Sequence, residues 1–273
     1  MKLALVLTTP EVQPAPPVAL LTGTFTARLA KAKALGYDGV EIMVMDPAQA
    51  NAAEIRGLLA GAGLEVAAVA SGALAFAARL TLLNQDSAVS ERALRRLHDV
   101  IVFAAQVGAP LVTIGSFRGW CRSVVGDGQA QLSSILRTVC GWAGEYSVCL
   151  VIEPLNRYEA DAVNTAQQAL DLIADVGSPN LGLLLDTFHA NIEEPSPTGA
   201  VRLAAQAGRL WHVHLGDSNR WPPGQGHFDF AGFVRALYEV NYTGYLSAEL
   251  LGKPDPDAAA RLTAAHMLPL VQG

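Results

Sequence analysis

Four segments of the chain end in residue types that hold divalent cations or move protons. CLVIEP places Glu153, LGLLLD ends at Asp186, LWHVHLG carries His214 and YLSAEL places Glu249. Each polar group sits at the end of an apolar run, where an uncompensated charge is costly. Period-two alternation puts Glu153 on the face of Val151 and Cys149, and Asp186 on that of Leu184 and Gly182. It puts His214 with His212, and Glu249 with Ser247 and Tyr245. With these faces turned inward, three carboxylates and an imidazole converge. Three carboxylates alone repel until one takes up a proton, and a cation removes that conflict. Three oxygen donors and one imidazole suit Mn²⁺, Mg²⁺ or Co²⁺ and admit Zn²⁺. The expected cofactor is one divalent metal ion, Mn²⁺ first.

The elements that must position these residues recur along the whole chain. Apolar, β-branched runs begin at Leu3, Gly39, Glu65, Leu111, Cys149, Leu181, Leu210 and Tyr245, with intervals of 36, 26, 46, 38, 32, 29 and 35 residues. Helical periodicity fills the gaps, as in Ser90 to Val107 and in Phe230 to Val240 after the N-cap residue Asp229. Continuous rather than alternating hydrophobicity reads as strands covered on both faces. Eight such βα units without a linker predict an α/β protein, a single (β/α)8 barrel over residues 1–273. A doubly wound sheet is the competing architecture, but no GxGxxG follows the first strand.

Composition bounds the partners. Asp and Glu outnumber Lys and Arg by 25 to 19, a net charge of −6, which disfavours binding to phosphate backbones. No apolar run is long enough to span a bilayer, and Leu3 to Leu7 is too short for a signal h-region. Three cysteines without CxxC spacing read as reduced thiols, so the cytoplasm is the expected compartment. The expected partner is a small keto sugar or keto acid, with no nucleic acid and no membrane; assembly into a homo-oligomer stays open.

IEPLNRYE (152–159), LDTFHANIEE (185–194), HVHLGDSNR (212–220) and the final SAEL (247–250) together resemble the xylose-isomerase-like TIM barrels. The likeness is greatest to the sugar (phosphate) isomerase/epimerase branch that includes D-tagatose 3-epimerase and hydroxypyruvate isomerase. The resemblance implies that Glu153, Asp186, His214 and Glu249 bind the metal and that Glu153 and Glu249 also transfer protons. It implies that His189 and Arg220 contact substrate oxygens, with Glu159 hydrogen-bonded near them. The implied activity is isomerisation or epimerisation of a keto sugar, sugar phosphate or small polyhydroxy keto acid through a metal-stabilised cis-enediolate. A polyol dehydratase of the inosose type is the alternative on the same fold. An abasic-site endonuclease needs further histidines from earlier strands, and AVASGAL and TIGSFRGW contain none. A non-catalytic sugar-binding barrel would not need the two proton-transfer carboxylates.

Other polar residues receive structural readings. His212 is expected to be a hydrogen-bonded core residue and Glu41 a structurally paired one. His227 belongs to a loop, His98 and His266 to helix surfaces or packing, and Asn164 to the N-cap of TAQQALDLIADV. PAPPV reads as a connector, whereas LAFAARLTLLNQD and WPPGQG are lid candidates on the catalytic face. Arg79, Arg118 and Arg122, with Trp120 beside them, could grip an anionic end of the substrate.

Overall fold

The eight apolar runs form eight strands in the computed structural model, which describes residues 1–272. They are β1 (Lys2–Thr8), β2 (Gly39–Met43), β3 (Glu65–Ala70), β4 (Leu111–Ile114), β5 (Cys149–Ile152), β6 (Leu181–Asp186), β7 (Leu210–Leu215) and β8 (Tyr245–Ala248). Seven begin at the residue expected from sequence, and β1 begins one earlier. All neighbours pair in parallel and in chain order, and β8 pairs with β1, closing the barrel. Closure removes sheet edges, and helices on the outside explain why the strands are apolar on both faces.

Local sequence sets the helix ends. The Asp86 carboxylate accepts from Ala88 N–H and starts the helix Ser87–Val107 three residues before the periodicity becomes visible. Asp229 caps Phe230–Glu239 as expected, accepting from Gly232 N–H. The Asn164 expectation is off by one. Thr165 is the N-cap of Ala166–Val176, because Gln168 at the third helical position completes a capping box with it. The Asn164 amide instead donates to the Leu155 and Ala160 carbonyls, at 2.7 and 3.1 Å, and closes the loop after β5.

Two irregularities lie close to the polar residues. The β2–β3 register shifts between Val40 and Glu41, and the β6–β7 register between Leu183 and Leu184. Such slips re-aim the side chains that follow them. His98 packs edge-on against Trp142 and Tyr146, and His266 against Phe230, as packing positions. No helix of the described residues is long and apolar enough to cross a membrane.

Candidate metal and proton-transfer site

The four residues read from the strand ends meet. Glu153, Asp186, His214 and Glu249 are buried and each offers a donor atom within 4.8 Å of the others. Asp186 is the last residue of β6; its Oδ1 accepts from Phe188 N–H at 2.7 Å and starts the helix Thr187–Glu193, leaving Oδ2 for the cluster. His214 Nδ1 lies 3.6 Å from Glu153 Oε1, 4.0 Å from Asp186 Oδ2 and 3.6 Å from Glu249 Oε2, all beyond hydrogen-bond range. Glu153 Oε1, Asp186 Oδ2 and His214 Nδ1 are buried without any hydrogen-bond partner. Buried polar atoms are almost always satisfied, so three orphans facing one another mark a ligand position. Donors each about 2.0–2.6 Å from a shared cation would lie at such spacings. The donor set and the orphaned atoms fit a divalent ion.

Electrostatics in the metal-free protein show the conflict that an ion would resolve. Burial, reinforced by Glu153, pushes the Asp186 carboxyl up to about 7. Burial likewise raises Glu153 above the carboxylate range. Burial also opposes the Glu249 charge, but His214 and Arg220 outweigh it and hold that carboxyl below its ordinary value.

The residues expected to meet substrate line the same mouth. Arg220 donates to Glu249 Oε2 at 2.9 Å and reaches both Glu159 oxygens at 3.3 Å, with its guanidinium 5.1 Å from the Phe188 ring. It sits at φ 60, a strained conformation for a non-glycine residue. Two backbone bonds hold it there: Arg220 N–H donates to Asp217 O at 2.7 Å, and Leu251 N–H donates to Arg220 O at 2.8 Å. His189 Nδ1 accepts from the Asn156 backbone N–H at 3.2 Å. A backbone amide can only donate, so the ring proton is on Nε2, which is buried, unpartnered and 3.8 Å from Glu153 Oε1. Burial, with Arg220 nearby, keeps His189 neutral by holding its pKa well below the usual value.

Sequence reading missed Asn156 and Asp217. Asn156 also donates through its amide to Glu159 Oε1 at 3.0 Å, tying together two residues of the mouth. The Asp217 carboxylate accepts from the backbone N–H groups of Ser218, Gly224, Gly226 and Phe228. It thereby fixes the WPPGQG loop that carries Arg220 at its start. Both sit in loops with no periodicity to mark them. His227, as expected, stays in this loop, exposed and paired with Ser218.

The arginine expectation is overturned at Arg118. Its side chain is buried, and its guanidinium donates to the backbone carbonyls of Gly115, Glu153, Ala162 and Val163. It ties the loops after β4 and β5 together, and its two terminal nitrogens face these four carbonyls and not a substrate anion. Arg122 is exposed and stacks 3.8 Å over Trp120, and Arg79 is exposed. The loop after β3 pairs with the β4 loop through Leu82 and Leu83, and its Phe76 joins Thr113, Ser116 and Leu155 in lining the cavity above Glu153 and Glu249. Gly115 has no room for a side chain, since a Cβ there would collide with the Glu153 carboxylate.

Glu41 and His212 are paired, as expected, but the pair is joined to the site. Glu41 Oε2 lies 2.8 Å from His212 Nε2 and 3.0 Å from His214 Nε2. Burial opposes the Glu41 charge, yet the two histidines more than offset it and hold the carboxyl well below its ordinary range.

Comparison with known proteins gives the chain's relatives. A family model described as xylose isomerase-like TIM barrel matches residues 29–270. An L-ribulose 3-epimerase of Mesorhizobium japonicum is 33% identical over 224 residues, 81% of this chain and 73% of that protein. A ketose 3-epimerase of Arthrobacter globiformis is 30% identical over 231 residues, 82% of this chain and 78% of its own. The crystal structure of a D-psicose 3-epimerase in the presence of D-fructose superposes with a TM-score of 0.81 over 100% of both chains, at 24% identity, a likeness in fold alone.

Proposed function

The chain belongs to the xylose isomerase-like TIM barrel family, and from that premise we propose that it is a divalent-metal-dependent ketose epimerase acting at the carbon beside the keto group. The observation that carries the reading is the convergence of Glu153, Asp186, His214 and Glu249, with three unpartnered donor atoms facing one another. These four residues would hold one ion, Mn²⁺ by the balance of oxygen and nitrogen donors. When bound, the ion supplies positive charge beside the keto oxygen and so stabilises the anion left by deprotonation.

The chain's own residues supply the rest. One of Glu153 and Glu249 takes the proton from the carbon, breaking the C–H bond and leaving an enediolate. The other returns a proton to the opposite face, inverting that centre. Arg220 stays cationic because Glu249, Asp186 and Glu159 outweigh its burial, and it stabilises negative charge on the substrate oxygens. His189 offers its Nε2–H to a substrate oxygen, and Glu159 fixes the Arg220 fork. A neutral ketose suits this site better than a phosphorylated one, since Arg118 is consumed by backbone carbonyls. The three free cysteines support a cytosolic setting.

The test is a panel of ketoses, ketose phosphates and keto acids incubated with the Mn²⁺-loaded protein in D₂O, with products read by NMR. The proposal expects one deuterium at the carbon beside the keto group of both epimers. Dehydration without epimer formation, or no exchange on any ketose, would overturn it.

A further inference from the structure

We propose that Glu41 is a positioning residue for the metal ligand His214, fixing the tautomer whose Nδ1 lone pair faces the ligand cluster. This rests on reading Glu153, Asp186, His214 and Glu249 as a metal site. Glu41 is fully buried on β2, across the barrel from β7, and no lysine or arginine touches it. Its partners are the two histidines: Oε2 at 2.8 Å from His212 Nε2, and Oε1 and Oε2 at 3.1 and 3.0 Å from His214 Nε2.

An ionised carboxylate only accepts hydrogen bonds, so both histidines meet it through Nε2–H. A neutral His214 that donates through Nε2 carries its lone pair on Nδ1, and that is the atom aimed at Glu153, Asp186 and Glu249. His212 serves as the second donor that holds the carboxylate in place. Its ring stands edge-on to that of His214, with centroids 5.2 Å apart and planes at 79°. The β2–β3 register slip falls between Val40 and Glu41, where it turns the side chain. The strand neighbours in register with Glu41 are Val6 and Ala68, which are apolar and could not stabilise a buried charge. A buried carboxylate kept among apolar neighbours and satisfied only by a ligand histidine and the neighbouring His212 has the arrangement of an outer-sphere partner, which orients the ligand ring and raises its basicity.

The test compares Mn²⁺ binding by the wild type and Glu41→Gln, alongside circular dichroism and thermal unfolding. The amide keeps the shape but removes the negative charge and replaces one of the two oxygens, Oε1 and Oε2, that face His214 Nε2 at 3.1 and 3.0 Å with a donor nitrogen. Affinity should fall by about 10- to 100-fold with the fold retained. Wild type binding about one Mn²⁺ and Glu41→Gln binding it equally well would overturn the positioning role while leaving the metal reading intact. Wild type binding no Mn²⁺ would overturn both. A measurement that needs no variant decides the case if Glu41→Gln does not fold: ¹⁵N-histidine NMR of the wild type loaded with Mg²⁺. His214 should be protonated at Nε2 and bare at Nδ1; the opposite tautomer would overturn the proposal.

Discussion

On the β1–β3 side of the barrel mouth, Val6, Met43, Ala70 and Ala73 pack with Val12 and Val18 into an apolar cluster. On the β5–β8 side, equivalent strand ends bring together three carboxylates and a histidine, and Glu153 Oε1, Asp186 Oδ2 and His214 Nδ1 have no partners. The backbone is the same repeated unit in both halves. The first half gains stability from burial, about 1.5–3 kcal/mol for each fully buried aliphatic side chain. The second forfeits some, because each buried polar atom left unpaired costs about 1–3 kcal/mol. That asymmetry separates the residues that hold the barrel together from those held ready for a ligand. It also sets what substitutions in each half should do.

The largest effect belongs to the polar half. Glu153→Gln or Glu249→Gln should lower kcat by about 10²–10⁴-fold, because an amide cannot take up the proton. Metal content measured in parallel separates lost chemistry from lost metal. Near-normal turnover with metal bound would break the two-carboxylate mechanism. In the apolar half, Met43→Ala should cost ~2–5 kcal/mol of unfolding free energy and leave Mn²⁺ affinity unchanged. A marked drop in affinity would show that the two halves are not separable.

A smaller effect appears on changing pH. The folded-state Asp186 carboxyl is raised to about 7, so the folded, metal-free protein binds this proton more tightly than the unfolded chain does. Stability from this group is therefore present at low pH and lost as pH rises from about 4 through 7, by a few kcal/mol. Thermal unfolding of the metal-free protein should show a Tm lower at pH 8 than at pH 5. Saturating Mn²⁺ should remove that decline, and a decline that persists would place its cause outside the cluster. Smallest of all, Arg122→Ala should leave kcat/KM nearly unchanged for neutral and phosphorylated ketoses alike. A selective loss on the phosphate would restore an anion site to the loop after β4.

The fold was legible because the strand runs are short, apolar and regularly spaced. The four convergent residues were legible because strand ends share one face of a barrel whichever helices surround it. The remainder depends on partners far away in sequence. Arg118 resembles a free surface cation until the Ala162 and Val163 carbonyls are seen around it. Glu41 lies 173 residues from His214, and no periodicity links them. Asp217 acts on backbone amides, and Asn156 meets His189, 33 residues away, through its own backbone N–H, so neither contact has a sequence signature. The one-residue error at Thr165 has a local origin, since Asn and Thr both cap helices and only Gln168 distinguishes them.

The central claim is that Glu153, Asp186, His214 and Glu249 form one metal site. Its most direct test is elemental analysis of protein stripped with chelator, reconstituted with Mn²⁺ and desalted, for the wild type and Asp186→Asn. The wild type should retain about one ion per chain and Asp186→Asn markedly less. Two or three tightly held ions in the wild type, or equal retention by Asp186→Asn, would contradict the claim.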